Sequence, residues 1–345
     1  MDSSRQTMLR VAELAQVSIA TVSRVINDPE RVAPETRERV LKTMRQLNYS
    51  YNALAGGLSR RRTMTLGLII PTITNPIFAE STKGVQDLAT EYGYSLLIGN
   101  TNYQASEEER LVRVFREHRV DGMVVTSSHS ESPALLEAQQ AGLPIVLTYS
   151  SRLRSPLPSV GVDNQAAVAA VIGYLVRLGH QRIGMMAGTF TASDRSYARY
   201  LGYRAGLAAH DVALDPALLV EVDYTPERGA TALTRLLSLP NPPTAVFCSN
   251  DILAFGALRE ALDRGLHVPG DLSIVGFDDS PMAAITNPRL TTVYQPAYEM
   301  GYRACDLLLT LIAGHQPATH TVVLPTELRV RETTGVPVER RPLPV

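Results

Sequence analysis

The sequence predicts an α/β protein that carries a small all-helical unit at its N-terminus. From Thr65 onward, short apolar runs alternate with amphipathic segments of 12 to 17 residues. The runs are apolar on successive positions rather than alternate ones, as in strands buried on both faces, so the alternation builds doubly wound parallel sheets with right-handed crossovers. Residues 7–27 show a different pattern, helical apolar spacing interrupted once, which reads as two short helices joined by a tight turn. At 345 residues the chain has room for two or three domains.

In order along the chain, Thr7 supplies a cap for the first helix, and Val11, Leu14 and Ala15 give it one apolar face. Ser18 repeats the capping signal. Val22, Val25 and Ile26 of the second helix turn toward the first, which leaves Ile19, Ala20, Ser23 and Arg24 outward. That is a helix-turn-helix, and the outward set is what a DNA major groove would meet. A third helix opens at Pro34, with Val40, Met44 and Leu47 as its stripe, so three helices close a small core.

Charge agrees with a polyanion partner for this segment alone. Residues 1–62 hold 11 basic and 6 acidic side chains, a net +5, against −6 for the remainder. Residues 49–63 then change composition to Asn52-Ala-Leu-Ala-Gly-Gly-Leu-Ser-Arg-Arg-Arg62, a linker.

Strands are expected at Leu66–Ile70, Ser95–Ile98, Gly122–Val125, Pro144–Leu147, Ile183–Met186, Ala245–Cys248 and Leu272–Phe277, among about ten in all. Helices are expected at Asn164–Leu178, Tyr197–Ala209, Asp251–Arg264 and Ala297–Ile312. Ten strands exceed one comfortable sheet, and a break at Ser155–Pro158 divides them into two lobes. Ligands of open α/β sheets bind beyond the carboxyl ends of the strands, so a cleft between the lobes is the expected site. Asn250 and Asp251 directly follow one strand, Asp278 and Asp279 another, and Arg199 lies near the start of a helix. Carboxylates, amides and an arginine fork suit a polyhydroxy ligand. Asp251 and Asp279 serve equally well as cap and turn residues.

Cys248 and Cys305 sit in apolar runs without Cys-x-x-Cys or histidine-rich surroundings, which suggests buried thiols in a reducing cytoplasm. With no apolar leader and no spanning segment, a soluble cytoplasmic protein is expected, with no membrane partner.

Four stretches resemble the LacI/GalR family of transcription regulators: residues 17–27, Tyr49-x-x-Asn-Ala-Leu-Ala55, Cys248-Ser-Asn-Asp251, and Val275-Gly-Phe-Asp-Asp279 with Leu290-Thr-Thr292 beyond it. The likeness runs from Thr7 to about Thr334. It implies a helix-turn-helix headpiece over 1–48, a hinge helix and linker over 49–62, and a periplasmic-binding-protein-like core over 63–345. The core's first lobe would span about 63–160 and 292–323, its second about 161–291 and 324–345. It also implies a homodimer that represses by binding a near-palindromic double-stranded operator, becomes nucleoid-associated when bound, and responds to a small-molecule effector.

Residue by residue, the resemblance assigns base reading to Ile19, Ala20 and Arg24, a minor-groove wedge to Leu58, and packing beside the dimer mate to Ala55. Thr7, Ser18, Thr21, Ser23, Asn27 and Asn52 complete the expected DNA-contacting set. Arg199, Asn250 and Asp278 match effector contacts, joined by Phe78, Thr126 and Tyr149. The chain departs from the family pattern at Gln16, which stands where the turn usually has Gly or Asn and adds a modest strain if that position must take a positive φ, and at Tyr51, which replaces the usual hinge proline. Gly56 and Gly57 weaken the hinge helix by about 1 kcal/mol each, so the hinge is expected to fold only on the operator. Tyr149 stands where some members place an acidic sugar contact, and Ala297 lacks an aromatic ring found in some relatives. A sugar or sugar derivative is the favoured effector.

An alternative is a soluble sugar-binding protein without a regulatory role; a DNA-reading headpiece would serve it no purpose. An enzyme would need a nucleophile, metal set or cofactor loop. No Gly-x-Gly-x-x-Gly, Walker or Gly-x-Ser-x-Gly pattern is present and the seven histidines are scattered, so no catalytic residue, metal or cofactor is expected. His180 reads as a structural contact at a helix end. Residues 331–345 hold three prolines and no leucine heptad, so a dimer rather than a coiled-coil tetramer is expected.

Overall fold

The computed structural model describes residues 5–47, 49, 62–128, 132–150 and 156–337. The chain divides into two compact units, Met1–Thr63 and Met64–Val345.

The first unit contains α1 (Arg5–Leu14), α2 (Ile19–Asn27) and α3 (Pro34–Gln46). Val11, Ala12, Ala15, Val22, Val25 and Val40 form its core, with Met8, Ile26, Met44 and Leu47 packed around them. The buried stripe of α1 is therefore 8, 11, 12, 15, the i, i+3, i+4, i+7 set. Leu14, expected inside, is 57% exposed because it falls outside that stripe, and Ala12 takes its place. Helix α1 also starts earlier than expected, so Thr7 lies within its first turn rather than ahead of it as a cap. Gln16 makes the turn with φ of 51°. Arg39 of α3 donates from Nε to the Ala15 carbonyl at 2.9 Å, which satisfies an orphan acceptor at the end of α1. Ser18 caps α2, its Oγ accepting from the Thr21 amide at 3.1 Å.

The second unit has two six-stranded sheets. The first sheet holds β1 (Thr65–Ile70), β2 (Ser95–Asn100), β3 (Gly122–Val125), β4 (Ile145–Thr148), β5 (Ser159–Val162) and β11 (Thr321–Leu324), in the order β11-β5-β4-β3-β1-β2, all parallel. The second holds β6 (Ile183–Gly188), β7 (Leu219–Val222), β8 (Ala245–Cys248), β9 (Ser273–Asp278), β10 (Thr291–Tyr294) and β12 (Glu327–Arg329), in the order β12-β10-β9-β8-β6-β7. All its pairs are parallel except β12, which returns antiparallel along β10 at the edge.

Helices α4 (Pro76–Glu91), α5 (Ala105–Glu117), α6 (Pro133–Gln140) and α11 (Ala297–Ile312) cover the first sheet. The second sheet is covered by α7 (Asn164–Arg177), α8 (Asp194–Ala208), α9 (Pro226–Leu237) and α10 (Asp251–Asp263). Gly84 and Gly301 let α4 and α11 meet backbone to backbone, since a Cβ on Gly301 would overlap the Ser81 carbonyl.

The chain passes between the lobes after β5, after β10 and after β11. These crossings fall slightly later than the expected boundaries at about 160, 291 and 323, because β5 stays paired with β11 through Val162, β11 runs to Leu324, and Thr292–Tyr294 belong to β10 in the second sheet. Sequence order reverses between β1 and β3 in one sheet and between β6 and β8 in the other. Crevices open at the carboxyl ends of strands at such switch points.

Candidate functional site

Two surfaces qualify, one on each unit. On the helical unit, α2 exposes Ile19, Ala20 and Arg24, with Thr21 and Ser23 half-buried beside them. A 46%-exposed isoleucine at the start of a helix that buries Val22 and Val25 on its opposite side lies outside the headpiece core. Ser18 is occupied as the cap, its Oγ also 2.9 Å from the Thr21 hydroxyl. The side chains of Thr7 and Asn27, and all of Asn52, Ala55 and Leu58 together with Tyr51, Gly56 and Gly57, lie outside the described residues.

The second surface is the interlobe cleft. Its walls are helix N-termini. Asn75 caps α4, Ser193 caps α8, Thr225 caps α9 and Asn250 caps α10, each side chain accepting from an amide of the first turn. A strand that ends at the cleft hands the chain to a helix that starts there, so capping residues accumulate on its lining.

The outer part is a cavity of about 450 Å³ lined by Thr72, Thr74, Asn75, Asn102, Tyr103, Thr189, Ala192, Ser193, Val222, Asp223, Tyr224, Thr225, Pro226 and Ile252. Deeper lies a crevice of about 20 Å³ lined by residues that include Phe78, Tyr149, Arg195, Arg199, Asn250, Asp278 and Gln295.

Arg199 organises the crevice. Its Nε donates to Asn164 Oδ1 at 2.8 Å, its Nη1 to the Ser249 carbonyl, and its Nη2 stands 3.9 Å from Asp278 Oδ1. Its guanidinium carbon lies 3.7 Å from the centroid of the Phe277 ring. Burial lowers its pKa, and the Asp278 charge opposes that shift. Asp278 accepts from Gln295 Nε2 at 2.7 Å and from Asn75 Nδ2, in the other lobe, at 3.5 Å. Burial pushes its carboxyl up to about 6, with Arg199 pulling the other way. Asp251 is raised as well, by burial and then by Asp278, although its oxygens accept from the Ser280 amide at 2.7 Å and the Thr292 hydroxyl at 2.6 Å. Asp279 turns away from the cleft to Arg329 and to Arg331, the latter at 2.5 Å.

Of the six residues expected in the cleft, the crevice brings together five: Phe78, Tyr149, Arg199, Asn250 and Asp278. Thr126 lines neither space, its hydroxyl bonded to that of Thr148 at 2.7 Å in the buried layer beneath. Two others differ in what they offer. The Tyr149 hydroxyl donates to the Ile77 carbonyl at 2.9 Å and its ring packs edge-on to Phe78 at 5.2 Å, so the expected free hydroxyl is already used. Asn250 Oδ1 accepts from the Leu253 amide at 2.9 Å, which leaves Nδ2 for the cleft.

The sequence reading omitted Asn75, Tyr103, Arg195, Tyr224 and Gln295. Asn75-Pro76 after the first apolar run was readable as a helix start facing the cleft. Nothing local marks the others. Tyr103 and Tyr224 belong to different lobes, and Arg195 reaches across to the Ser127 carbonyl at 2.8 Å.

An exposed helix-turn-helix joined in one chain to a two-lobed ligand cleft defines a ligand-responsive DNA-binding regulator. Residues 7–52 match the family model for bacterial regulatory proteins of the lacI family, and residues 172–334 that for a periplasmic binding protein-like domain. The chain is 37% identical over 328 residues to the HTH-type transcriptional repressor CytR of Escherichia coli, spanning 95% of this chain and 96% of that one. Among solved structures, the lac repressor dimer bound to operator and the anti-inducer ONPF matches with TM-score 0.82 at 28% identity, over 94% of this chain and 98% of that one. The transcriptional regulator CelR–cellobiose complex matches with TM-score 0.72 at 32% identity, over 95% and 99%. The chain belongs to the lacI family of bacterial regulatory proteins. It is a DNA-binding transcription regulator with an effector-binding core.

Among the described residues, no group of three or more His, Cys, Asp or Glu side chains is placed to hold a metal ion, and no helix is long and apolar enough to cross a membrane.

Proposed function

We propose that this protein is a repressor that binds a near-palindromic operator as a homodimer in the cytoplasm and changes its operator affinity when a small molecule, a sugar or sugar derivative, occupies the interlobe cleft. The observation that carries this reading is the exposed Ile19, Ala20 and Arg24 face in a chain that also holds a polar cleft with a buried Arg199–Asp278 pair. Bound cellobiose in the structurally similar CelR complex supports the ligand class.

In this reading Arg24 reads guanine O6 and N7, while Ile19 and Ala20 make apolar contact with base edges. Thr21, Ser23 and the remaining polar residues of the expected set position the helix on phosphates. Phe78, Arg199, Asn250 and Asp278 contact the ligand, the charged pair by hydrogen bonds to hydroxyls. Lobes and headpiece are linked thermodynamically, so ligand and operator change each other's affinity by the same factor. A ligand that favours the operator-competent arrangement is a corepressor, and one that disfavours it is an inducer.

The test is selection of binding sites from random duplex DNA with the full-length chain. The expected product is two half-sites related by a two-fold axis, and Arg24→Ala should weaken the best site about 5- to 150-fold while relaxing one base position. A selection that yields no preferred sequence, or an Arg24→Ala loss that is equal on all sequences, would overturn the assignment. Light scattering that reports two chains supports the dimer; four chains would refute it.

A further inference from the structure

Helix α1 ends in a tight backbone cap. The Val17 amide donates to the Ala12 carbonyl at 2.9 Å and the Gln16 amide to the Glu13 carbonyl at 3.2 Å. These are the two bonds of a Schellman motif, in which the residue that closes the helix sits in the left-handed region and is usually glycine. Here that residue is Gln16, with φ of 51°. Val17 packs against the headpiece core, whereas Gln16 is exposed. Burial of its own side chain therefore does not hold Gln16 in this conformation, which strains any residue that carries a Cβ.

The strain falls where the DNA-reading helix is aimed. Only Ala15, Gln16, Val17 and Ser18 separate α1 from α2. A rotation of the peptide plane between Ala15 and Gln16 would return Gln16 to negative φ and relieve the strain. It would also redirect the chain just ahead of Ser18, and with it the axis of α2 and its outward Ile19, Ala20 and Arg24.

Helix α3 opposes that rotation. Arg39, 24 residues beyond Ala15, donates from Nε to the Ala15 carbonyl at 2.9 Å. The amide of the same peptide plane is the one bonded to Glu13, so the plane is held at its N–H by α1 and at its C=O by α3. Both anchors are rigid. Ala15 is fully buried, and so is Val40, the residue next to Arg39, which fixes the arginine backbone against the headpiece core. Turning the plane would break both bonds at once.

We infer that Arg39 is a positioning residue for DNA recognition: by holding the Ala15–Gln16 peptide it keeps Gln16 in its left-handed turn and α2 at the angle at which its outward face enters a major groove. This role rests on the reading of α2 given above and adds to it what aims the helix. Operator binding demands the aimed form, so population lost to other conformations of the turn lowers the affinity in proportion. A glycine at position 16 would be unstrained and would make Arg39 dispensable.

Fluorescence anisotropy with the full chain, the site selected from random duplex DNA and a scrambled duplex of equal length tests this. Arg39→Ala should weaken the selected site about three- to tenfold, the loss of one such hydrogen bond. Affinity for the scrambled duplex and the salt dependence of binding should not change, because no phosphate contact is removed. Arg39→Gln puts its amide nitrogen at the same distance along the side chain as the arginine Nε, and should keep the parent affinity within about twofold without the charge. Combined with Gln16→Gly, Arg39→Ala should cost less than about twofold. Arg39→Gln as weak as Arg39→Ala, with a salt slope reduced by about one, would make Arg39 a phosphate contact and overturn the positioning role. No loss from Arg39→Ala, a loss shared equally by the scrambled duplex, or a loss that Gln16→Gly does not relieve would each overturn it too. A chain that prefers no sequence would instead overturn the reading of α2 beneath it.

Discussion

Replacing Arg199 by methionine removes one partner of a buried ion pair and leaves Asp278 facing Gln295, Asn75 and little else. Truncation of a buried pair typically costs 3–5 kcal/mol, and the 3.9 Å separation places this one near the lower end, about 3 kcal/mol near neutral pH. The loss should depend on pH with a definite sign. The Asp278 carboxyl is held above its ordinary value, at about 6, so its folded form favours the protonated state. The associated stability is present at low pH and is lost as pH rises through the folded pKa. Without Arg199, burial is opposed only by the Gln295 and Asn75 hydrogen bonds and by the Arg195 charge, so the carboxyl rises further and holds its proton to higher pH. Between about pH 7.5 and 5.5 the variant should regain more stability from this one proton than the parent chain does. The deficit of Arg199→Met should therefore shrink on acidification, by on the order of 1 kcal/mol. Urea unfolding of the parent, Arg199→Met, Asp278→Asn and the double variant at both pH values measures this as a cycle. Single losses that add within about 0.5 kcal/mol, or a deficit independent of pH, would refute the coupling argued from the structure.

His180 is hydrogen-bonded at both ring nitrogens, Nε2 donating to the Gly335 carbonyl and lying near the Ser273 hydroxyl while Nδ1 accepts from the Thr244 hydroxyl, and burial holds its pKa below the usual imidazole value. It should therefore contribute stability that is lost as pH falls below about 6.5; His180→Gln should flatten that part of the melting-temperature profile, and an unchanged profile would argue against it. Gly301→Ala pushes a methyl into the Ser81 carbonyl at the α4–α11 crossing. A cost of about 1–3 kcal/mol is expected, visible as a fall of several degrees in the melting temperature, and a melt indistinguishable from the parent would show that the helices yield freely. Tyr149→Phe loses the hydroxyl bond to Ile77 and should cost about 0.5–1.5 kcal/mol in unfolding experiments. Its ligand affinity should stay within about threefold, because that hydroxyl already has a partner. In the hinge, Gly56→Ala with Gly57→Ala should strengthen operator binding by lowering the cost of helix formation; equal or weaker affinity in a titration would reject folding on the operator.

Apolar periodicity was legible wherever burial follows one element's own geometry. Six of the seven named runs became inner strands and the seventh, at Ser95–Ile98, became the partly exposed edge strand β2, while the stripes of α2 and α3 became the headpiece core, because a strand buried on both faces or a helix buried on one declares it locally. Leu14 misled because a three-helix core selects its stripe by where α3 lies, a nonlocal fact. Edge strand β12 is three residues long and could not be seen in a pattern that needs more.

The cleft shows the same division. Asn250 and Asp278 were visible because each lies at the carboxyl end of an apolar run, which is where open α/β folds bind ligands. Tyr103 and Tyr224 were not visible. They are separated by more than a hundred residues, and only the closure of one lobe on the other brings their rings together. Gln295 likewise became notable only when burial left its Oε1 unpartnered. By itself the sequence determined the two kinds of layer, the helix-turn-helix and the polar residues at strand ends, all of which depend on neighbours a few positions apart. The tertiary structure alone decided where the chain crosses between lobes, which groups are already paired, and what stands at the entrance to the ligand space, because those depend on contacts between segments far apart in the chain.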